Sequence, residues 1–311
     1  MLFAAFTFLF GLGILYVGAE TMVNSSSRLA ASWGIRPLVI GMTVVAFGTS
    51  MPEMMVSLLA AFRGSADIAA GNIVVSNIAN IGLILGFTAL IAPLVVQRSL
   101  LKREVPFMIG ASLLLVALAW DGTLGFVDGA ILFSLLLVFL GYCLVTARRN
   151  DSGETSSSAV MASTSRLRDS LLVLIGIVGL GVGAEMMVRS AVVLARAFGV
   201  SELVIGISVV ALGTSLPELA ASGLSAMKGH ADLSIGNVLG SNIFNILFVL
   251  GVCPMIRPLA IDPSLLRLQI PVMLLFSVGL VPLLGHRYRI CRWKGLLLLG
   301  GYLAFIVGLF L

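Results

Sequence analysis

Long apolar runs separated by short polar breaks recur along the whole chain. The runs lack period-2 alternation, and most approach the roughly 20 residues that a helix needs to cross hydrocarbon. They predict membrane-spanning helices rather than barrel strands. Ten spans fit the pattern, at residues 2–24, 36–62, 68–94, 104–120, 124–147, 170–198, 203–227, 233–256, 269–285 and 294–311. One polar stretch is longer than a turn: RRNDSGETSSSAVMASTSRLRD, from Arg148 to Asp169. Its serines and charges predict a flexible linker. The expected organisation is a five-helix unit over 1–147, a linker over 148–169 and a second five-helix unit over 170–311.

The two units are copies of one another at a constant offset of 165 residues. LVIGMTVVAFGTSMPE (38–53) lies over LVIGISVVALGTSLPE (203–218), and SADIAAGNIVVSNIANIGLILG (65–86) over HADLSIGNVLGSNIFNILFVLG (230–251). More than half of positions 38–86 are identical to their counterparts, without a gap. An odd number of spans per copy makes the second copy enter the membrane from the opposite side. The predicted fold is therefore all-α and polytopic, with ten transmembrane helices in two inverted-topology repeats. That architecture recurs in secondary transporters, with the substrate site near the midplane between the repeats.

Composition removes the soluble classes. Hydrophobic residues make up 59% of the 311 residues and charged residues 11%, with a mean hydropathy of +1.13. Soluble domains run at about 45–50% apolar and about 25% charged. About 14 of the 19 Lys and Arg fall in loops that follow odd-numbered spans. The positive-inside rule then puts the linker in the cytoplasm and both termini outside. The net charge of +5 belongs to those loops, and no nucleic-acid partner is expected. Cys143, Cys253 and Cys291 are scattered and suggest neither a disulfide framework nor a thiolate metal site. The N-terminal apolar stretch has no basic flank or A-x-A cleavage site, so a first span is expected rather than a removable signal.

Most carboxylates lie near loops, but Glu53 and Glu218 do not. Each precedes a basic residue, Arg63 or Lys228, by ten positions, about 15 Å of helix and half the hydrocarbon thickness. A lone carboxylate there costs about 2.5–3.5 kcal/mol on insertion scales and usually marks an ion pathway. Each Glu follows a proline and a short polar run, Gly48-Thr49-Ser50-Met51-Pro52 and Gly213-Thr214-Ser215-Leu216-Pro217. Proline is expected to free carbonyls around Ala46–Gly48 and Ala211–Gly213. Carbonyls, hydroxyls and carboxylate make a hard-oxygen set suited to Na⁺ and Ca²⁺, not to soft transition metals. The following span adds Asn72, Ser76, Asn77 and Asn80, mirrored by Asn237, Ser241, Asn242 and Asn245, as stripes expected to face the bundle interior.

Other polar residues carry less. Glu20 and Glu185, repeat mates in G-A-E, are expected in structural pairing or at an interfacial position rather than as ligands. His230 and His286 have no repeat-mate histidine, and HRYRICRWK (286–294) reads as an interface anchor. No cofactor motif occurs, and no obligatory protein partner is evident.

The paired G-T-S-x-P-E and G-N-x-x-x-S-N signatures resemble the α-repeats of the sodium/calcium exchanger family, within the cation/Ca²⁺ antiporter superfamily. The resemblance covers both halves and suggests a compact prokaryotic-type member of an inner membrane. It implies a site built by the second, third, seventh and eighth spans. Glu53 and Glu218 would be the central carboxylates. Thr49, Ser50 and the Ala46 carbonyl would join from one repeat, with Thr214, Ser215 and the Ala211 carbonyl from the other. Ser76, Ser241, Asn80 and Asn245 would complete the ring. Two departures stand out. Asn245 is an amide where some members carry an acid, and Val75 replaces the glycine found at Gly240, which predicts looser packing in the first repeat.

The expected activity is exchange of Ca²⁺ for Na⁺ by alternating access, with the two ions as substrates and the bilayer as the surroundings. A proton-coupled Ca²⁺ exchanger of the same fold is the alternative, because a buried Glu can carry a proton. A cation channel is the alternative from another class.

Overall fold

The computed structural model describes residues 2–147, 166–198, 211–285 and 288–309. The helices are α1 (Leu2–Trp33), α2 (Pro37–Thr49), α3 (Met51–Arg63), α4 (Ile68–Ile91), α5 (Arg98–Asp121), α6 (Phe126–Thr146), α7 (Arg166–Ala197), α8 (Ala211–Thr214), α9 (Leu216–Met227), α10 (Ala231–Ile256), α11 (Leu265–Gly285) and α12 (Arg292–Leu309). Among the described residues, 8 helices are long and apolar enough to cross a membrane, or 9 when α2 and α3, bent by 47°, count as one span. Most of the linker, residues 203–210 of the expected seventh span, His286 and Arg287 lie outside the described residues.

Burial separates an inner set of helices from an outer one. The apolar windows of α4 and α10 are 78% buried, against 28% in α1, α6, α11 and α12. The outer helices therefore face lipid along most of their surface, and α4 and α10 form the centre. Both central helices carry the Asn/Ser stripes, which agrees with an inward-facing polar surface.

Glycine lets the central backbones approach. A Cβ on Gly41 would sit 2.6 Å from the Leu233 carbonyl oxygen, one on Gly236 2.6 Å from that of Leu38, and one on Gly240 2.6 Å from Met42. These contacts bring α2 onto α10. The long helices α1 and α7 pack in the same manner, with Gly18 against the Leu180 nitrogen and Gly183 against the Leu15 nitrogen. Small residues at such crossings are the usual means of helix association where no hydrophobic force acts.

Two short antiparallel ladders tie loops together. β1 (Leu94–Val95) pairs with β4 (Arg289–Ile290), and β2 (Thr123–Leu124) with β3 (Leu259–Ala260). Each ladder joins one repeat to the other.

Several boundaries and charges differ from expectation. Helix α1 runs to Trp33, beyond the expected end at 24, because its polar tail is buried against the fold: Ser25 and Ser26 are fully packed. Helix α7 starts at Arg166, so Asp169 is helical; it is buried and accepts from Arg28 Nε at 2.8 Å. Lys294, placed in an interface anchor by the sequence, is buried instead. Its ammonium donates to the carbonyls of Leu283 and of Arg289, where the chain turns between α11 and α12. Of the two places expected for Glu20 and Glu185, the structure shows pairing: Glu20 with Lys228 at 2.7 Å, and Glu185 with Arg189 one turn along its own helix.

Candidate cation site

The backbone breaks at equivalent points of the two repeats. Ser50 has φ −80° and ψ 4°, and Ser215 has φ −88° and ψ 4°, each just before a helix with proline in its first turn. Pro52 and Pro217 lack an N–H, so the carbonyls of Gly48 and Gly213 lose their helical donor. The Ala46 carbonyl is not freed in this way. It still accepts the Ser50 N–H at 3.0 Å, because the last turn of α2 is α-helical from Ala46 through Thr49. Ala211 opens α8.

Glu53 and Glu218 fall in the first turn of the helices that follow the breaks, where free N–H groups and the helix dipole favour a negative charge. Both are buried, with 1% of their surface exposed. Their hydroxyl partners are exchanged between repeats. Ser50 Oγ donates to Glu218 Oε1 at 3.1 Å, and Ser215 Oγ donates to Glu53 Oε1 at 3.3 Å. Thr214 also faces Glu53, and Thr49 and Ser241 face Glu218. The two carboxylates are close enough to repel each other, and neither forms an ion pair with a basic side chain among the described residues. Two buried carboxylates without a basic partner need a cation or a proton to be tolerated.

The asparagines form a second reciprocal layer. Asn80 Nδ2 donates to Asn242 Oδ1 at 3.0 Å, and Asn245 Nδ2 donates to Asn77 Oδ1 at 3.0 Å. Asn72 holds the Glu53 carbonyl (3.3 Å) and Ser57 Oγ (3.0 Å), while Asn237 holds the Glu218 carbonyl (3.5 Å) and Ser222 Oγ (2.9 Å). Thr49 Oγ1 donates to Asn237 Oδ1 at 3.1 Å. Asn80 and Asn245 each begin a π-helical stretch, Asn80–Leu85 and Asn245–Val249. Such stretches often mark functional positions.

Four buried oxygens in this region have no hydrogen-bond partner: Glu53 Oε2, Glu218 Oε2, Asn80 Oδ1 and Asn245 Oδ1. They are two repeat-related pairs. The second amide oxygens of the layer, on Asn77 and Asn242, are used up in orienting the first. Ser76 and Ser241 are buried on the same helices, and Thr214 is half-buried. Among the described residues no cluster of three or more His, Cys, Asp or Glu occurs. The local chemistry is that of hydroxyl, amide and carboxylate oxygens, the ligands of hard cations.

The resemblance-based ligand set leaves out residues that orient these groups. Asn77 and Asn242 hold the candidate ligands Asn245 and Asn80 in place. Behind them Met273 and Met108 offer their sulfurs to Asn77 (3.7 Å) and Asn242 (3.6 Å). Met108 and Met273 are matched at the same 165-residue offset, as are Ser57 and Ser222, so the repeat itself carried the signal.

The sodium/calcium exchanger protein family matches residues 3–145 and 170–311. The chain is 38% identical to the inner membrane protein YrbG of Escherichia coli (strain K12), covering 100% of this chain and 98% of that protein. It is 39% identical to the putative antiporter CaxA of Alkalimonas amylolytica, covering 98% of each. Its fold is similar to that of the sodium-calcium exchanger NCX_Mj soaked with 2.5 mM Na⁺ and 0.1 mM Ca²⁺, with a TM-score of 0.87 and 33% identity over 99% of both chains.

Proposed function

The chain belongs to the sodium/calcium exchanger family and is an integral, multi-pass membrane protein of the cation/Ca²⁺ antiporter type, and from that premise we propose that it exchanges Ca²⁺ for Na⁺ at one midplane site. The ligand set is Glu53 and Glu218 with Thr49, Ser50, Thr214, Ser215, Ser76, Ser241, Asn80, Asn245 and the carbonyls of Ala46 and Ala211, that of Ala46 through the lone pair its helical hydrogen bond leaves over. The reading assumes ten spans in two inverted repeats, 1–147 and 170–311. The linker faces the cytoplasm of a prokaryotic cell, and both termini face outward.

One observation carries this reading: the four unpartnered buried oxygens are repeat mates and include both carboxylates. Ca²⁺ takes 6–8 oxygen ligands at about 2.3–2.6 Å, and two carboxylates match its charge. The same oxygens can be divided among Na⁺ ions. Cargoes that share ligands exclude each other, so exchange follows from competition.

Alternating access completes the cycle. Bare carboxylates in a closed, water-free site are costly, whereas ion-bound ones are not. The transition between access states is therefore cheap only with cargo aboard, which couples the two fluxes. ⁴⁵Ca²⁺ uptake into proteoliposomes tests this reading. Na⁺-loaded vesicles are expected to accumulate Ca²⁺, and K⁺-loaded vesicles are not. Uptake driven only by a pH gradient in Na⁺-free medium would replace Na⁺ by H⁺ as the coupling ion, and unitary current steps would replace exchange by a channel.

A further inference from the structure

The two repeats hold the same residues in different surroundings. Leu59 on α3 and Leu224 on α9 are repeat mates of identical type, yet Leu59 is 48% exposed and Leu224 only 8%. The cause is the position of the long helices. Helix α1 packs along α9, whereas its counterpart α7 makes no comparable contact with α3 among the described residues. Among the described residues the cleft beside α9 is therefore closed by a long helix, and the matching cleft beside α3 is not.

The closed cleft carries a polar clamp. Lys228 Nζ, just past the end of α9, donates to Glu20 Oε1 at 2.7 Å and to Asn24 Oδ1 at 2.9 Å on α1. The repeat mates of Lys228, Glu20 and Asn24 are Arg63, Glu185 and Arg189. In the open cleft Arg63 makes no ion pair or hydrogen bond among the described residues. Glu185 is held instead by Arg189, one turn along α7.

We propose that these residues are two alternative latches, Lys228–Glu20 and Arg63–Glu185, that close opposite sides of the molecule in turn. This rests on the alternating-access reading above. With that orientation, the structure is closed toward the cytoplasm by the first latch and open outward. Movement of α1 away from α9 breaks the first latch, and movement of α7 onto α3 brings Glu185 to Arg63.

The latches are unequal. Asn24 accepts a second hydrogen bond from Lys228 and adds to the first latch. At the equivalent place Arg189 neutralises Glu185 and competes with Arg63, so the second latch is weakened from within. The resting population is thereby biased toward the outward-open state. These are positioning residues; none belongs to the candidate ion ligands.

The test uses thiol accessibility in a background with Cys143, Cys253 and Cys291 replaced by Ser, reconstituted in vesicles. A reporter thiol at Leu224→Cys is labelled from the Lys228 side by a membrane-impermeant maleimide. Glu20→Gln and Lys228→Gln should each speed labelling about three- to tenfold, the size expected for one partly exposed charged hydrogen bond. The charge exchange Glu20→Lys with Lys228→Glu should restore slow labelling. Arg189→Asn acts from the far cleft: it frees Glu185 and should also speed labelling at Leu224→Cys, an effect that Arg63→Gln abolishes.

Unchanged labelling in Glu20→Gln and Lys228→Gln would overturn the first latch. A response to Arg189→Asn that persists with Arg63→Gln would overturn the second. Na⁺-dependent Ca²⁺ flux in the unsubstituted protein is measured on parallel vesicles. Absent flux there would count against the exchanger reading alone, because labelling reports cleft opening whatever the cargo.

Discussion

Ser50 donates its hydroxyl to Glu218 at 3.1 Å, and so reaches from the break in one repeat to the carboxylate of the other. Ser215 returns the same bond to Glu53. Neither repeat completes its own site: each supplies a carboxylate that the other one solvates. A half-molecule would therefore lose the serine donor that the other repeat brings to its carboxylate.

Removing either charge tests the role of the carboxylates. Glu53→Gln and Glu218→Gln keep the size of the side chain and lose a charged ligand, worth about 1.5–3 kcal/mol. Each is expected to weaken Ca²⁺ binding by roughly 10- to 150-fold. Direct binding to purified protein checks this, and retention of wild-type affinity in both variants would remove them from the site.

The crosswise hydroxyls should be equivalent. Ser50→Ala leaves Glu218 Oε1 without its serine donor, and Ser215→Ala does the same to Glu53 Oε1. Each loss is expected to lower Na⁺-dependent Ca²⁺ uptake by roughly fivefold or more, from about 1 kcal/mol per hydrogen bond. Similar losses in the two variants are predicted, since the repeats are bonded alike.

Asn77 accepts from Asn245 and orients its free oxygen. Asn77→Ala leaves a buried amide unsatisfied, at a cost of about 1–3 kcal/mol. The thermal midpoint in detergent should fall by several degrees, together with Ca²⁺ affinity. Asn77→Asp retains an acceptor and should preserve more of the midpoint than Asn77→Ala does.

Packing of α2 on α10 depends on hydrogen atoms where other residues have Cβ. Gly240→Ala would place a carbon 2.6 Å from Met42 backbone atoms, and Gly236→Ala 2.6 Å from the Leu38 carbonyl oxygen. Each should destabilise by about 1–3 kcal/mol. Gly110→Ala, on α5 with no atom within 4 Å of the added carbon, serves as the control and should leave the thermal midpoint unchanged.

Much of this arrangement was legible in the sequence because it was written twice. Glu53 and Glu218 stood out by depth, and the offset of 165 residues made their surroundings comparable. Proline and the polar run located the breaks at Ser50 and Ser215. Other features escaped because they depend on a distant partner. Asp169 reads as the end of a hydrophilic linker until Arg28 buries it. Lys294 reads as an interface lysine until the end of α11 and the strand after it each supply a carbonyl, from Leu283 and Arg289. Proline at 52 points to freed carbonyls from Ala46 onward, yet the helix still binds the one at Ala46, a difference of a residue or two that pattern alone does not resolve. The asymmetry between Leu59 and Leu224 is invisible in principle, because identical residues in a repeat differ only through the conformation adopted.

The central claim is that both cations occupy one set of oxygens. Equilibrium Ca²⁺ binding to the purified protein, measured over a range of Na⁺ concentrations, tests it most directly. Competition predicts that the apparent Kd for Ca²⁺ rises steadily with Na⁺ while the number of sites stays constant, and that Glu53→Gln and Glu218→Gln weaken both ions. Na⁺ that leaves the apparent Kd for Ca²⁺ unchanged would contradict a shared site.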